Sequence, residues 1–211
     1  MDFSIDKYID ISSFSHSEIF DEIDNAWAVI PEIKSYLEEQ FKKGVIKANY
    51  KNSDNIFIGE GTTIMDGVVI IGPAIIGKNC LISSSVLIRE NCIIGDNVNI
   101  GHACEIKNSI LLNNSAAAHF NYIGDSIIGN MVNLAGGAII ANLRLDKKPV
   151  TINLGHKKIS TGLLKLGSII GDNCNIGVNA VLNPGTILGK NSIVFPLTSV
   201  SGLHSENQII K

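Results

Sequence analysis

Two cations stand where like charges gain nothing from each other. Arg89 and Lys107 are 18 residues apart, and each directly follows an aliphatic residue, Ile88 and Ile106. If 18 residues make one turn of a stacked coil, both side chains point outward on the same side of adjacent coils. Like charges opposite one another in a sheet are unfavourable. An anion held between them would turn that cost into a gain, and phosphate is the natural candidate. Two solvated side chains splayed apart fit the spacing equally well. A histidine and a tyrosine lie in Ala118-His119-Phe120-Asn121-Tyr122-Ile123-Gly124-Asp125, where the pattern slips phase. A lone histidine in a turn is more often structural than catalytic, so His119 needs company to count. Between Asn142 and Leu166 the pattern largely disappears, and Arg144, Lys147, Lys148, Lys157, Lys158 and Lys165 face a single acid, Asp146. A long basic loop is often a binding feature.

The pattern that these residues interrupt has a period of six. Aliphatic residues recur from Ile58, Ile64 and Ile70 through Ile106, Leu112 and Ala118, then from Ile170 and Ile176 to Val200. Such a repeat predicts a hexapeptide β-helix, a solenoid that is stable only because its coils stack. In Cys92-Ile93-Ile94 the first and third residues face inward and the second outward. Gly95-Asp96-Asn97 then supplies a corner, as do Gly77-Lys78-Asn79, Gly171-Asp172-Asn173 and Gly189-Lys190-Asn191. Phase slips are expected where Ile123 and Ile128 replace positions 124 and 130.

Residues 1–53 follow a different rule. Ser15-x-x-Glu18 reads as a helix start, with Ile19, Phe20, Ile23 and Trp27 on one face. Pro31 opens a second helix with Ile33, Tyr36, Leu37 and Phe41 on one side and Gly44 beyond its end. Solenoids need caps, so this helical segment is expected to cover the open edge of the first coil. The β-helix is expected over 54–202, with an inserted loop at 142–166 and a tail at 203–211.

Composition narrows the function classes. The 211 residues carry 17 basic and 20 acidic side chains, a net charge of −3, which leaves no nucleic-acid footprint. No apolar run approaches the ~18 residues that span a bilayer, and the first ten residues lack a secretory pattern, so a cytoplasmic protein is expected. Cys80, Cys92, Cys104 and Cys174 occupy the second inward slot of the hexad, where a free cysteine acts as a small buried hydrophobe. No zinc-type C-x-x-C appears, and no metal is expected.

Glu105-Ile106-Lys107-Asn108-Ser109, His119-x-x-Tyr122-x-Gly124-Asp125-Ser126, Asn133 and Ala141-Asn142-Leu143-Arg144-Leu145-Asp146-Lys147-Lys148 together resemble a known family, as do Ser160-Thr161-Gly162-Leu163-x-Lys165-Leu166-Gly167 and Asn183-Pro184-Gly185. It is the hexapeptide-repeat domain of glucosamine-1-phosphate N-acetyltransferases on the route to UDP-N-acetylglucosamine, in the archaeal-like branch, where a nucleotidyltransferase domain often precedes the β-helix. The resemblance implies an all-β, left-handed parallel β-helix with a short N-terminal α-helical cap; the hand comes from the resemblance alone. It implies His119 as general base toward the sugar's amine, a role that suits an imidazole whose ordinary pKa is ~6.5. Arg89 and Lys107 align with groups on the sugar ligand's phosphate, and Tyr122 and Asn133 with groups that hold the sugar. Asn142 aligns with an asparagine beside the transferred acetyl group, able to orient the amine or the thioester. Lys148 is the chosen substrate-side lysine, with Lys147 as the other match. Gly136, Asn142, Leu143, Val178 and Pro196 align with positions that contact acetyl-CoA. A homotrimer with active sites between subunits is implied.

The likeness has departures. Ala135-Gly136-Gly137-Ala138 stands where the family usually reads Gly-Ala-Gly-Thr, and Pro196 replaces a small residue. Nothing before residue 54 offers a glycine-rich nucleotide loop, so no uridylyl transfer is expected. An acceptor that is a nucleotide-linked amino sugar, and a non-catalytic sugar-phosphate-binding module, are the competing readings. A metal-dependent carbonic anhydrase on this scaffold ranks last, because His102 and His119 lack a third histidine partner.

Overall fold

Short strands of two or three residues are joined by tight corners and wind into a three-sided parallel coil. The computed structural model describes residues 2–51 and 53–211. The first wall holds eight strands, from Ile56–Ile58 to Leu203–His204; the second holds eight, from Thr63–Ile64 to Ile209–Ile210. The third wall holds seven, from Val69–Ile70 to Ser199–Val200. Each strand pairs in parallel with the strand one coil away, as Ile70 with Ile88 and Ile88 with Ile106. The inward aliphatics, Ile76, Ile82, Ile88, Ile94, Ile100 and Ile106 among them, are fully buried in one continuous core. The third residue of the corner tripeptides is left-handed, with φ +54° at Asn79, +57° at Asn97, +61° at Asn173 and +59° at Asn191. Asparagine tolerates that conformation better than other side chains. All four cysteines are free and buried.

The register corrects the place of the phase slip. Leu111 and not Leu112 pairs with Ile94, Ala117 and not Ala118 pairs with Ile100, and Ile123 pairs with Ile106. The missing residue therefore falls at Lys107-Asn108-Ser109. A second short corner follows at Gly124-Asp125-Ser126, since Ile123 and Ile128 are both inward. Both corners join the third wall to the first, and the 142–166 insertion leaves from the same corner one coil later. Every irregularity of the solenoid is stacked on one edge.

The N-terminal segment departs from expectation in form and in place. Residues 17–20 and 26–32 form 3₁₀ turns, Pro31 lies inside the second, and among the described residues only α1 (Ile33–Lys42) is an α-helix. The capping box fails because the Glu18 carboxylate is used elsewhere: it accepts from Tyr36 Oη at 2.9 Å and Gln40 Nε2 at 2.8 Å. His16 is half-buried and meets the same Tyr36 hydroxyl at 2.9 Å. The segment does not seal the first coil with its helix. It lies against the outer face of the first wall, where Ile75, Ile93, Ile110, Ile127, Ile169 and Ile187 join Phe3, Ile9, Trp27 and Leu37 in a second apolar cluster. The exposed edge of Ile56–Ile58 is met instead by Asn49, whose backbone N–H donates to Ile56. Its side-chain amide both accepts from and donates to Ile58.

The insertion is not structureless. Thr151–Asn153 and Lys158–Ser160 form an antiparallel hairpin, and Val150, Ile152 and Leu166 are buried in the second cluster. Residues 203–211, read as a tail, add a strand each to the first and second walls.

Candidate active site

The corner between the third and first walls gathers four of the expected residues or their direct partners. Its two short turns put Asn108 and Asp125 at φ +45° and +48°. Asp125 is 4% exposed, yet three side chains converge on its carboxylate. Asn108 Nδ2 donates to it at 2.9 Å, Lys107 Nζ lies 3.6 Å away, and Asn142 Nδ2 donates from the next coil. The Asn142 amide also donates to Tyr122 Oη at 3.1 Å. A Cβ at Gly124 would come within 2.6 Å of that hydroxyl and 2.7 Å of the amide nitrogen, so only glycine leaves room for the pair. Burial, with a smaller push from the Asp125 charge, raises the Tyr122 hydroxyl above its ordinary pKa and keeps it a donor.

Arg89 stacks next to Lys107 as expected, its N–H donating to Ile106 O at 2.7 Å. The charge problem, however, is answered inside the chain. Arg89 Nη1 pairs with Glu105 Oε1 at 3.1 Å and its Nε lies 3.6 Å from Glu90, while Lys107 turns to Asp125. No bound anion is needed to explain the two cations.

The opposite corner, between the second and third walls, gathers a different set. His102, His119, Gly136, Val178 and Pro196 occupy the same position in successive coils. A ladder of backbone hydrogen bonds links them: Phe120 N–H to His102 O, Gly137 to His119, Asn179 to Gly136 and Leu197 to Val178, at 2.9–3.0 Å. The His119 imidazole is exposed and lies over Gly136, where a Cβ would stand 2.6 Å from its Nε2. Phe120 stacks edge-on to both His102 and His119, with ring centroids 5.5 and 5.8 Å apart. Asn133 is exposed on the second wall and shares a shallow cavity of about 340 Å³ with Pro196 and Phe195.

The expected residues therefore fall into two groups. His119, Gly136, Val178, Pro196 and Asn133 lie on or next to one corner. Arg89, Lys107, Tyr122 and Asn142 lie at the other, separated within a chain by the width of the third wall. Leu143 is half-exposed and bridges to Lys165 across the base of the insertion. Lys148 is exposed on the loop, beside a bidentate Arg144–Asp146 pair at 2.7 and 2.8 Å that holds the Asp146 carboxyl well below the usual range. Asp125, Asn108 and Glu105 were not expected at the site. The two five-residue steps in the aliphatic series were the signal that a side chain had been turned into this corner.

The His119 imidazole, Val178 and Pro196 are exposed along this ladder. Gly136 leaves a bare backbone beside an exposed imidazole, and Val178 and Pro196 continue the track with apolar faces. Among the described residues, no three or more His, Cys, Asp or Glu side chains gather as a metal site would require. No helix among them is long and apolar enough to cross a membrane.

Comparison with known proteins agrees with the coils. Residues 70–154 match the GMPPB C-terminal domain, and residues 168–194 match the hexapeptide repeat of succinyl-transferase. The chain is 40% identical over 86 residues to a bifunctional sugar-1-phosphate nucleotidylyltransferase/acetyltransferase of Sulfurisphaera tokodaii, covering 41% of this chain and 21% of that one. It is 42% identical over 84 residues to the bifunctional protein GlmU of Methanococcus vannielii, covering 40% and 20%. Among solved structures, the polysialic acid O-acetyltransferase OatWY overlaps 71% of this chain and 80% of its own, at 21% identity and a TM-score of 0.42. The chain spans about a fifth of the length of these bifunctional relatives. Its coils are similar to the hexapeptide repeat of succinyl-transferase and, over about 85 residues, to these archaeal bifunctional proteins.

Proposed function

We propose that this chain transfers the acetyl group of acetyl-CoA to the amino group of an amino-sugar phosphate, with glucosamine 1-phosphate as the first candidate. One observation carries the reading: an exposed imidazole, His119, lies on a bare glycine in the same corner ladder as Val178 and Pro196. The name of the Sulfurisphaera tokodaii relative, which specifies a sugar 1-phosphate and acetyl transfer, points to the acceptor class.

Bound at that ladder, acetyl-CoA would supply an activated acetyl thioester. His119 Nε2 would take the proton from the attacking amine, a transfer matched to an imidazole near neutral pH. The Gly136 N–H has no backbone partner among the described residues. It is a donor of the kind that stabilises charge developing on an acyl oxygen. Tyr122 and Asn142 would hold the sugar end, Asn133 and Lys148 would complete its contacts, and Arg89 would exchange Glu105 for a phosphate. Because the two groups lie at opposite corners of one chain, the complete site would form where copies of the prism meet, in a homotrimer. The protein would work in the cytoplasm.

Thiol release from acetyl-CoA with glucosamine 1-phosphate tests this directly. A folded protein with no turnover above background on any amino-sugar phosphate would end the proposal. The carboxylates already on Arg89 and Lys107 favour one variant: an acceptor that presents its phosphate less directly, as a nucleotide-linked amino sugar does. Competition between the two acceptors separates them.

A further inference from the structure

We propose that Asp125 is a positioning residue that locks the Asn142 amide so that its Oδ1 accepts a hydrogen bond from the acceptor's amino group. The chemistry rests on the acetyl-transfer reading above; the geometry stands by itself.

A carboxylate can only accept, and Asp125 has its two oxygens turned to three donors. Asn108 Nδ2 is 2.9 Å from Oδ1 and Lys107 Nζ 3.6 Å from the same atom, while Asn142 Nδ2 donates to Oδ2. Its own backbone is fixed as well, with its N–H on Lys107 O and its carbonyl receiving Gly167 N–H, both at 2.9 Å. The residue is thus held by the coil before it and the coil after it. An amide has two N–H bonds and one carbonyl oxygen. Asn142 spends both N–H bonds inside the chain, one on Asp125 and one on Tyr122 Oη at 3.1 Å. Its backbone carbonyl is also taken, by Leu166 N–H at 3.0 Å.

The side-chain oxygen alone is left over: among the described residues no donor reaches Asn142 Oδ1, and the side chain is only half-buried. Were the amide turned over, its oxygen would face a buried carboxylate, a like-signed contact that the low local dielectric makes costly. Asp125 therefore sets which end of the amide meets a ligand. It leaves an acceptor for an N–H, not a donor for a thioester carbonyl. Tyr122, receiving the amide's second N–H, keeps its own O–H to donate. The corner offers one acceptor and one donor side by side, which matches an amino group next to a hydroxyl on a sugar ring.

The test reverses the pair. Asn tolerates a left-handed φ as Asp does, so Asp125→Asn leaves the turn unstrained. In Asp125→Asn and in Asn142→Asp, kcat should fall at least about tenfold while the KM for acetyl-CoA stays within about twofold. The double variant D125N/N142D restores a carboxylate–amide pair, now with a carboxylate oxygen as the outward acceptor. It should regain at least about tenfold over either single variant, as neighbours that act as a unit do. A double variant no better than the weaker single, or a D125N enzyme with kcat within about twofold of the parent, would overturn the assignment.

A second arm needs no substrate. The side-chain amide protons of Asn142 should give two resolved, slowly exchanging NMR signals that collapse to rapid exchange in Asp125→Ala. Unprotected signals in the parent, or signals unchanged in the variant, would also overturn it. If the amide behaves as expected but the parent turns over no amino sugar, the acetyl-transfer reading fails and the positioning role stands.

Discussion

His119 Nε2 and Gly136 Cα are packed so closely across adjacent coils that a single methyl between them would sit 2.6 Å from the imidazole nitrogen. Gly136 has no left-handed backbone to protect, so Gly136→Ala tests packing alone. The imidazole is exposed and can swing away, and the fold should survive with little change in melting temperature. Acetyl transfer should drop by at least about tenfold, because a displaced base loses its near-attack geometry. Steady-state kinetics beside a thermal melt separates the two effects, and unaltered kcat would show that His119 need not sit over Gly136.

His119→Ala removes the proposed base and leaves the corner ladder, which is built from backbone groups, in place. Turnover should fall by roughly 10²–10⁴-fold, the usual contribution of a general base. Binding of acetyl-CoA, read by calorimetry, should persist. A variant that turns over at the parent's rate would remove the histidine from the chemistry.

The thiols give a prediction about pH. Burial pushes Cys92 up to about 12 and Cys174 up to about 11, and it raises Cys80 and Cys104 as well. Thiols held neutral in the fold but free to ionise when unfolded stabilise the fold fully below the unfolded value of 9.0. That contribution is lost as pH climbs from there through the folded values. The melting temperature should therefore fall from pH 9 to pH 11, and less steeply in a Cys92→Ala/Cys174→Ala variant. An identical slope would count against the thiols as its cause. At pH 8 a disulfide-exchange reagent should label none of the four cysteines until denaturant is added.

The coil was legible because a single physical demand, burial of one residue in six, writes itself into the sequence directly. Ile88, Ile94, Ile100 and Ile106 could be read as inward without any structure. The five-residue steps were visible too, but a slip in period does not say which corner absorbs it; only the pairing of Leu111 with Ile94 fixes that at Asn108. The outward isoleucines of the first wall, Ile75, Ile93, Ile110 and Ile127, were a neglected signal. A solenoid face that is apolar in coil after coil must be covered, and the N-terminal segment covers it. Nothing in the spacing marks Asp125 as more than a turn residue. Its contacts to Asn142 come from 17 residues away, across a coil whose register the slip had obscured. The separation of His119 from Asn142 was hidden for a related reason: the family motif orders residues along the chain, whereas the prism assigns them to different corners.

Asp172 pins the N-terminal segment to the coils beside the apolar contacts of the second cluster, and removal of its carboxylate should loosen the segment without unwinding the solenoid. Asp172 is 5% exposed, and its carboxylate accepts from Asp10 N–H and Asn130 N–H at 2.7 Å, and from Asn130 Nδ2 at 3.0 Å. Lys190 Nζ lies 3.7 Å away, and the backbone N–H of Asp172 returns a bond to Tyr8 O at 3.0 Å. Asp172→Ala would leave buried donors without an acceptor, at a cost of about 1–3 kcal/mol for each. The Asn130 bonds join neighbouring coils, but no residue of the inward core belongs to this network, so the coils keep their apolar stacking. Limited proteolysis should therefore cut the variant within residues 2–51 well before the coils, while the parent resists. The Asp172→Asn variant keeps one acceptor oxygen and should be intermediate. Cleavage that begins in the coils, or a variant as resistant as the parent, would mean that the apolar contacts with Ile93, Ile110 and Ile127 hold the segment without help from the carboxylate.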